Sequence, residues 1–405
     1  MKRYASAWVL LAGLALPVAA AVAGPLGLPP VPVPADNPMT PQKVTLGSKL
    51  FNDKRFSSTG QVACANCHDP AKAFTDSPRQ TSEGINKLTG TRNAPTVVNA
   101  AYFTTQFWDG RSPSLEDQSQ HPFLNPVEMG LKDHQPILQI VRTDPAYVAS
   151  FREVYGLEAS AITMNHVQMA IAAFERTIVS GDSAFDRWYF GGDKAAMSDA
   201  AVRGFTVFLQ DGRCVSCHVI EQDRALFTDN RFHNVGVGMN RIQAEVPVLA
   251  PRFLEAKAKG MDVDVVVLSN PSTSELGRFA ITDGLDDLGA FKTPTLRNVA
   301  VTAPFMHDGS LKTLRDVVVH YNNGGVTSKG DKVNDFLSGG IRELNLSEEQ
   351  ISDLVAFLEA LTSPQYAQAA ATASNGSPPS CDVATPAPAA TVAAAATAPT
   401  AGATP

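Results

Sequence analysis

Two short runs carry the chemistry of this chain: Cys64-Ala65-Asn66-Cys67-His68 and Cys214-Val215-Ser216-Cys217-His218. Both read C-x-x-C-H. Cysteines three apart on a helical turn project the same way and can reach both vinyl groups of one porphyrin. The histidine that follows then sits under the iron. Chance would place one such motif in a chain of this composition on the order of once in a thousand. Disulfides and zinc are the competing chemistries. Zinc needs four ligands, and two cysteines with one adjacent histidine make a poor tetrahedron. The pattern implies two covalently bound haem c groups, attached through Cys64, Cys67, Cys214 and Cys217 and ligated by His68 and His218.

The elements that must position these motifs read as helices. Val167, Ile171, Phe174 and Ile178 repeat at steps of four, three and four, which marks one helix face. Val202, Phe205, Phe208 and Leu209 give a second apolar face ahead of the second cysteine pair. Ser347 and Gln350 make a capping box before Ile351, Leu354, Val355, Leu358 and Leu361. Strand alternation is scarce, and the connections are rich in Gly, Pro, Asn and Asp. The expected fold is all-α: two cytochrome c-like haem domains with long loops. The two motifs lie in similar local patterns, so the first domain is expected over 42–185 and the second over 195–364. The segment from about Arg241 to Pro271 has no evident role.

The chain has 405 residues, 44% of them hydrophobic, with a formal charge of −7. That suffices for two ordinary cores. It does not suit a nucleic-acid partner, which requires a basic face. Lys2 and Arg3, an apolar run from Trp8 to Ala21, and Ala21-Val22-Ala23 read as a cleaved export signal over 1–23. The expected location is therefore the periplasm. Residues 24–41 are a proline-rich, extended lead-in. Residues 365–405, mostly Ala, Thr, Pro and Ser, lack core-forming side chains and read as a disordered tail. That tail holds the fifth cysteine, Cys381, as an idle thiol or an attachment point.

Further motifs stand in order around the haem sites: Phe107-Trp108-Asp109-Gly110-Arg111, Asn125-Pro126-Val127-Glu128-Met129, Lys292-Thr293-Pro294-Thr295-Leu296-Arg297-Asn298 and His307-Asp308-Gly309-Ser310. With them, residues 40–365 closely resemble the bacterial diheme cytochrome c peroxidases and their relative MauG. The resemblance implies that the His68 haem meets peroxide and that the His218 haem transfers electrons. It implies that Glu128 is the distal acid–base carboxylate, with Gln118 and Pro122 beside it and Trp108 between the haems. It implies a calcium ion at Asn93, Thr302 and Pro304, whose oxygens suit a hard cation. The implied partners are hydrogen peroxide and a small cytochrome c or cupredoxin donor, or else a protein substrate. Family members often form a homodimer.

Two departures from the family pattern stand out. Typical members place a distal histidine where this chain has Ile85, which cannot ligate iron. His121, in the presumed distal loop, is the remaining candidate for that role. Typical members ligate the second haem with methionine where this chain has Tyr321, as in MauG; Met306 and His320 are the rivals. An anionic oxygen ligand favours ferric and higher states. Peroxide cleavage needs an open iron, a group that moves a proton between the two oxygens, and electrons. Glu128 can move that proton if an apolar pocket made by Leu124, Pro126, Val127 and Met129 lifts its pKa. The leading expectation is a peroxidase. MauG-like oxidation of a partner protein and a plain diheme electron carrier are the alternatives. His134, His166 and His233 read as structural or exposed.

Overall fold

The computed structural model describes residues 24–368. The expected leader, the tail from 369 onward and Cys381 lie outside the described residues. Four helices frame the molecule. α1 (Pro41–Phe51) starts where the Thr40 hydroxyl accepts from the Lys43 amide, with Pro41 at a position that needs no N–H donor. α2 (Met164–Glu175) buries Val167 and Ile171, the face read from the sequence. α3 (Asp199–Leu209) is capped by the Ser198 hydroxyl. α4 (Glu348–Glu359) opens on reciprocal bonds between Ser347 and Gln350.

α1 packs on α2, and α3 on α4. Both crossings depend on a glycine. A Cβ added to Gly47 would lie 1.9 Å from the Ala170 carbonyl oxygen, and one added to Gly204 would lie 1.9 Å from that of Asp353. Glycine weakens a helix by about 1 kcal/mol relative to alanine. Here the loss is offset by backbones that approach without an intervening side chain. Each crossed pair covers its own apolar core. The first gathers Leu46, Phe56, Phe123, Phe151 and Ile171. The second gathers Phe185, Phe208, Phe227, Phe357 and Leu361.

The fold is mostly helical. Among the described residues the sheet consists of two short strands, β1 (Phe232–His233) and β2 (Phe291–Lys292), paired antiparallel. The stretch expected to link the halves instead holds a helix, Ala184–Tyr189. Phe185, expected to end the first half, is fully buried in the second core. Its aromatic neighbours Trp188 and Phe190 pack there too, so this stretch has too much apolar surface to remain a linker. The lead-in is stitched down at several points. Arg297 donates to the Gly27 carbonyl, and Tyr102 to that of Pro29. Tyr366, assigned to the tail by composition, packs beside the cluster containing Val97 and Ala172. One aromatic ring suffices to anchor it.

The segment left without a role folds into helices Val246–Ala258 and Val263–Ser269. They build a third apolar cluster with Met239, Phe279 and Leu288, against which Val127 packs.

The Gly204 crossing yields a direct test. Gly204→Ala should lower stability by roughly 1–3 kcal/mol through overpacking, read as an earlier denaturant midpoint with unchanged helical circular dichroism. An unchanged midpoint would show that the backbones do not approach this closely.

Candidate haem and peroxide site

Cys64–Cys67 forms one helical turn, and the His68 amide donates to the Cys64 carbonyl at 2.9 Å. The second motif makes a 3-10 turn over Cys214–Ser216, and the His218 amide donates to the Cys214 carbonyl at 2.9 Å. The four motif cysteines form no disulfide with one another. Burial pushes Cys67 and Cys214 up to about 12, so the sulfurs stay neutral.

Each histidine is aimed by the same device. His68 Nδ1 donates to the Phe74 carbonyl at 3.1 Å, and His218 Nδ1 donates to the Phe227 carbonyl at 2.8 Å. Carbonyls only accept, so the proton sits on Nδ1 and the Nε2 lone pair is free to ligate. Both acceptors stand in left-handed backbone, Phe74 at φ 56° and Phe227 at φ 53°. That conformation costs a non-glycine residue about 1–2 kcal/mol. Burial lowers both imidazole pKa values, which keeps the rings neutral.

A cavity of about 1270 Å³, counting the part open to solvent, lies against Cys64, Cys67 and His68. A planar tetrapyrrole fits this site on three observations. The two thiols and the imidazole share one wall, the rest of the lining is largely apolar, and the imidazole is held neutral. The second motif offers the same donor set in the same local geometry.

Glu128, Gln118, Trp108, Pro122 and Asn93 all line the first cavity. Glu128 sits at the end of a tight turn in which its amide donates to the Asn125 carbonyl at 3.1 Å. Burial raises its pKa to about 7; the nearby Asp264 carboxylate adds to the rise and Arg111 opposes it. The apolar setting differs from the one expected. Leu124 and Pro126 are exposed, because the turn directs them outward. Val127 and Met129 remain, joined by Leu268 from the third cluster.

Ile85 does not line the cavity. Its side chain is buried in the first core, and its amide donates to the Glu128 carbonyl at 2.8 Å. His121 is turned toward two carboxylates, Asp117 at 3.3 Å and Asp264 at 3.8 Å. His68 is therefore the one histidine on the cavity wall among the described residues.

Tyr321, on the helix Leu314–Asn322, is half-buried. Burial raises its phenol pKa, and charge on Cys214 or Cys217 would raise it further, which places the ring beside the second motif. His320 instead donates to the Val235 carbonyl at 2.8 Å, and Met306 packs into the second core. Trp108 bridges the halves. Its indole donates to the Asn93 carbonyl at 2.9 Å, while its own carbonyl accepts from the Lys292 amide of β2 at 2.7 Å. Asn93 Nδ2 donates to the Gln80 carbonyl, and the Thr302 hydroxyl to that of Val299.

Three residues on or near this cavity received no role from the sequence. Glu175 lines it with one carboxylate oxygen unpartnered, and burial raises its pKa to about 8. Its position four residues after Ile171, on a buried helix face, was the available signal. Arg111 also lines the cavity. Asp264 reaches Arg111 Nε at 2.5 Å from 153 residues away, and no local pattern announces that contact.

A family model described as di-haem cytochrome c peroxidase matches residues 41–195. The cytochrome-c peroxidase IdrP1 of Denitromonas iodatirespirans is 40% identical over 342 residues, covering 84% of this chain and 86% of that protein. The chain belongs to the di-haem cytochrome c peroxidase family. The methylamine utilization protein MauG of Methylorubrum extorquens is 36% identical over 331 residues, covering 82% of this chain and 81% of that one. Among solved structures, a MauG-like protein associated with microbial copper homeostasis superposes with a TM-score of 0.67 at 31% identity, over 84% of this chain and 95% of that one. The diheme peroxidase BthA from Burkholderia thailandensis gives 0.63 at 25% identity, over 82% and 88%.

The two buried acids of this peroxidase-family cavity predict a pH-dependent stability. Their folded values, about 7 for Glu128 and about 8 for Glu175, lie above the ordinary carboxyl value of 4.5. Each favours the fold while protonated, and that contribution is lost as pH rises through 7 and 8. The thermal midpoint should fall between about pH 4.5 and pH 8 and level off above that, and Glu175→Gln should flatten the fall. A midpoint equally steep in the variant would refute the assignment for Glu175.

Proposed function

We propose that this protein reduces hydrogen peroxide to water in the Glu128 cavity, with electrons entering through the His218 half. The donor is a small soluble cytochrome c or a cupredoxin. Each C-x-x-C-H motif holds one covalently attached haem, one in each half of the molecule. The protein works in the periplasm after cleavage of residues 1–23. A calcium ion held by Asn93, Thr302 and the Pro304 backbone braces the junction.

The observation that carries this reading is the Glu128 carboxyl, which lines the same cavity as His68 and is lifted to about 7. Bound haem supplies the Lewis-acidic, redox-active iron that peroxide chemistry needs. The chain supplies the rest. His68 presents Nε2 because Phe74 holds Nδ1. Glu128, ionised, takes the proton from the inner peroxide oxygen and returns it to the outer one. Gln118 offers its amide to the oxygen that leaves. Two electrons and two protons convert each peroxide to two waters, and Trp108 lies on the route from the second half. Ile85 offers no ligating atom and His121 faces Asp117 and Asp264, so His68 is the one histidine on the cavity wall among the described residues.

MauG-like oxidation of a partner protein is the second reading. Tyr321 favours it, because an anionic oxygen ligand on the second haem stabilises high oxidation states. Slow decay of the peroxide-oxidised protein, accelerated only by a protein substrate, would select it over rapid turnover with reduced cytochrome c.

Two measurements test these roles. Glu128→Gln should slow the reaction with peroxide by about 10²–10⁴-fold. The wild-type rate should rise with pH through about 7, because the ionised carboxyl accepts the first proton, and the variant should lose that rise. Stopped-flow spectra with an unchanged rate would remove Glu128 from the mechanism. Electron paramagnetic resonance of the ferric protein should show one high-spin and one low-spin centre. Tyr321→Phe should alter only the low-spin signal; two low-spin centres and indifference to peroxide would reduce the protein to an electron carrier.

A further inference from the structure

The cavity wall holds a cation that the proton-transfer scheme leaves unused. Arg111 lines the cavity together with Glu128 and Gln118, and its side chain is only 6% exposed. Most of its guanidinium is accounted for. Nε donates to Asp264 Oδ1 at 2.5 Å, and Nη1 donates to both Asp109 oxygens at 3.0 and 3.1 Å. One face lies over the Phe107 ring, 3.5 Å from its centre. Nη2 is different: it is buried and has no acceptor among the described residues. A guanidinium keeps its charge and holds its donors in a fixed plane. A buried donor of this kind, left unpaired, is costly, so an acceptor belongs there.

The anchors are themselves braced. Asp109 also accepts from Arg92 Nη1 at 2.5 Å. The Asp264 carbonyl accepts from Asn125 Nδ2 at 3.3 Å, and Asn125 opens the turn that carries Glu128. The result is a rigid planar cation with one free prong, on the wall that bears the proton-transfer carboxyl. Such donors recognise an oxygen that carries or gathers negative charge.

We propose that Arg111 Nη2 is a catalytic donor to an anionic oxygen bound in this cavity, namely the outer oxygen of peroxide. Charge gathers on that oxygen before the proton held by Glu128 reaches it. Asp109 and Asp264 act as positioning residues that hold the prong in place. This inference rests on the peroxide reading of the cavity and adds a recognition residue to it. A carboxylate of the bound haem itself has the same chemistry and is the competing acceptor.

Fluoride separates the two, because it is a small anion that binds ferric haem without turnover. The haem-loaded ferric protein would be titrated with fluoride and followed optically, alongside Arg111→Gln, Arg111→Lys and Asp264→Asn. Arg111→Gln should weaken fluoride binding by about 10- to 100-fold, with haem content and reduction potential unchanged. Arg111→Lys should recover part of the loss. Asp264→Asn, which keeps the cation but frees one anchor, should weaken binding by about 3- to 10-fold, and it carries the test if Arg111→Gln does not fold. Unchanged fluoride affinity in these variants overturns the proposal. Unchanged affinity with lost haem or a shifted potential assigns Nη2 to the haem carboxylate instead. A wild-type protein that binds no fluoride and ignores peroxide overturns the cavity reading as well. A wild-type protein that binds and reacts, matched by Arg111→Gln, defeats only the role of Arg111.

Discussion

A neutral, immobilised imidazole is the constraint on which the rest of this molecule depends. Both C-x-x-C-H histidines give their Nδ1 proton to a phenylalanine carbonyl in left-handed backbone. Without that bond the ring could rotate or change tautomer, and Nε2 would not face a fixed point. The strained backbone is held by what packs around it. Phe227 is fully buried in the second core, and Phe74 packs against the first. The apolar cores thus do more than hold helices together. They set the direction of two imidazole rings.

The second organising feature is a division of charge around the first cavity. Glu128 and Glu175 face it as acids whose pKa values are raised by burial. Asp109 is held well below the usual carboxylate range: burial alone would raise it, but Arg111 and Arg92 outweigh that effect. Carboxylates within one region are therefore set to opposite protonation states by their neighbours. The third apolar cluster contributes by bringing Leu268 to the wall and Asp264 to the Arg111 guanidinium. A segment that reads as an unassigned insertion thereby becomes part of the site's electrostatics.

Much of the fold was readable because its signals are local. The helix faces that begin at Val167 and Val202 and the Ser347–Gln350 capping box depend on spacings of three and four residues, and helices stand at each place, although the first ends at Glu175, short of Ile178, and Leu209 at the end of the second is exposed. Other features were not readable. Gly47 and Gly204 look like ordinary weak points in helices until the partner backbones arrive. The burial of Phe185 in the second core, and the outward turn of Leu124 and Pro126, follow from how distant segments pack.

The sequence by itself determined that two thiols and an imidazole converge at each motif, since residues within a run of five need only a single turn of backbone to meet. It also determined that Ile85 offers no ligand and that an oxygen ligand is available at Tyr321. Only the tertiary structure decided which side chains share the cavity. Arg111 and Asp264 are 153 residues apart in sequence and meet at 2.5 Å. Neither residue type differs from an ordinary surface charge until folding removes the water around both. Burial, and the pKa values and unpaired donors that come with it, belongs to the assembled chain and not to any local run of residues.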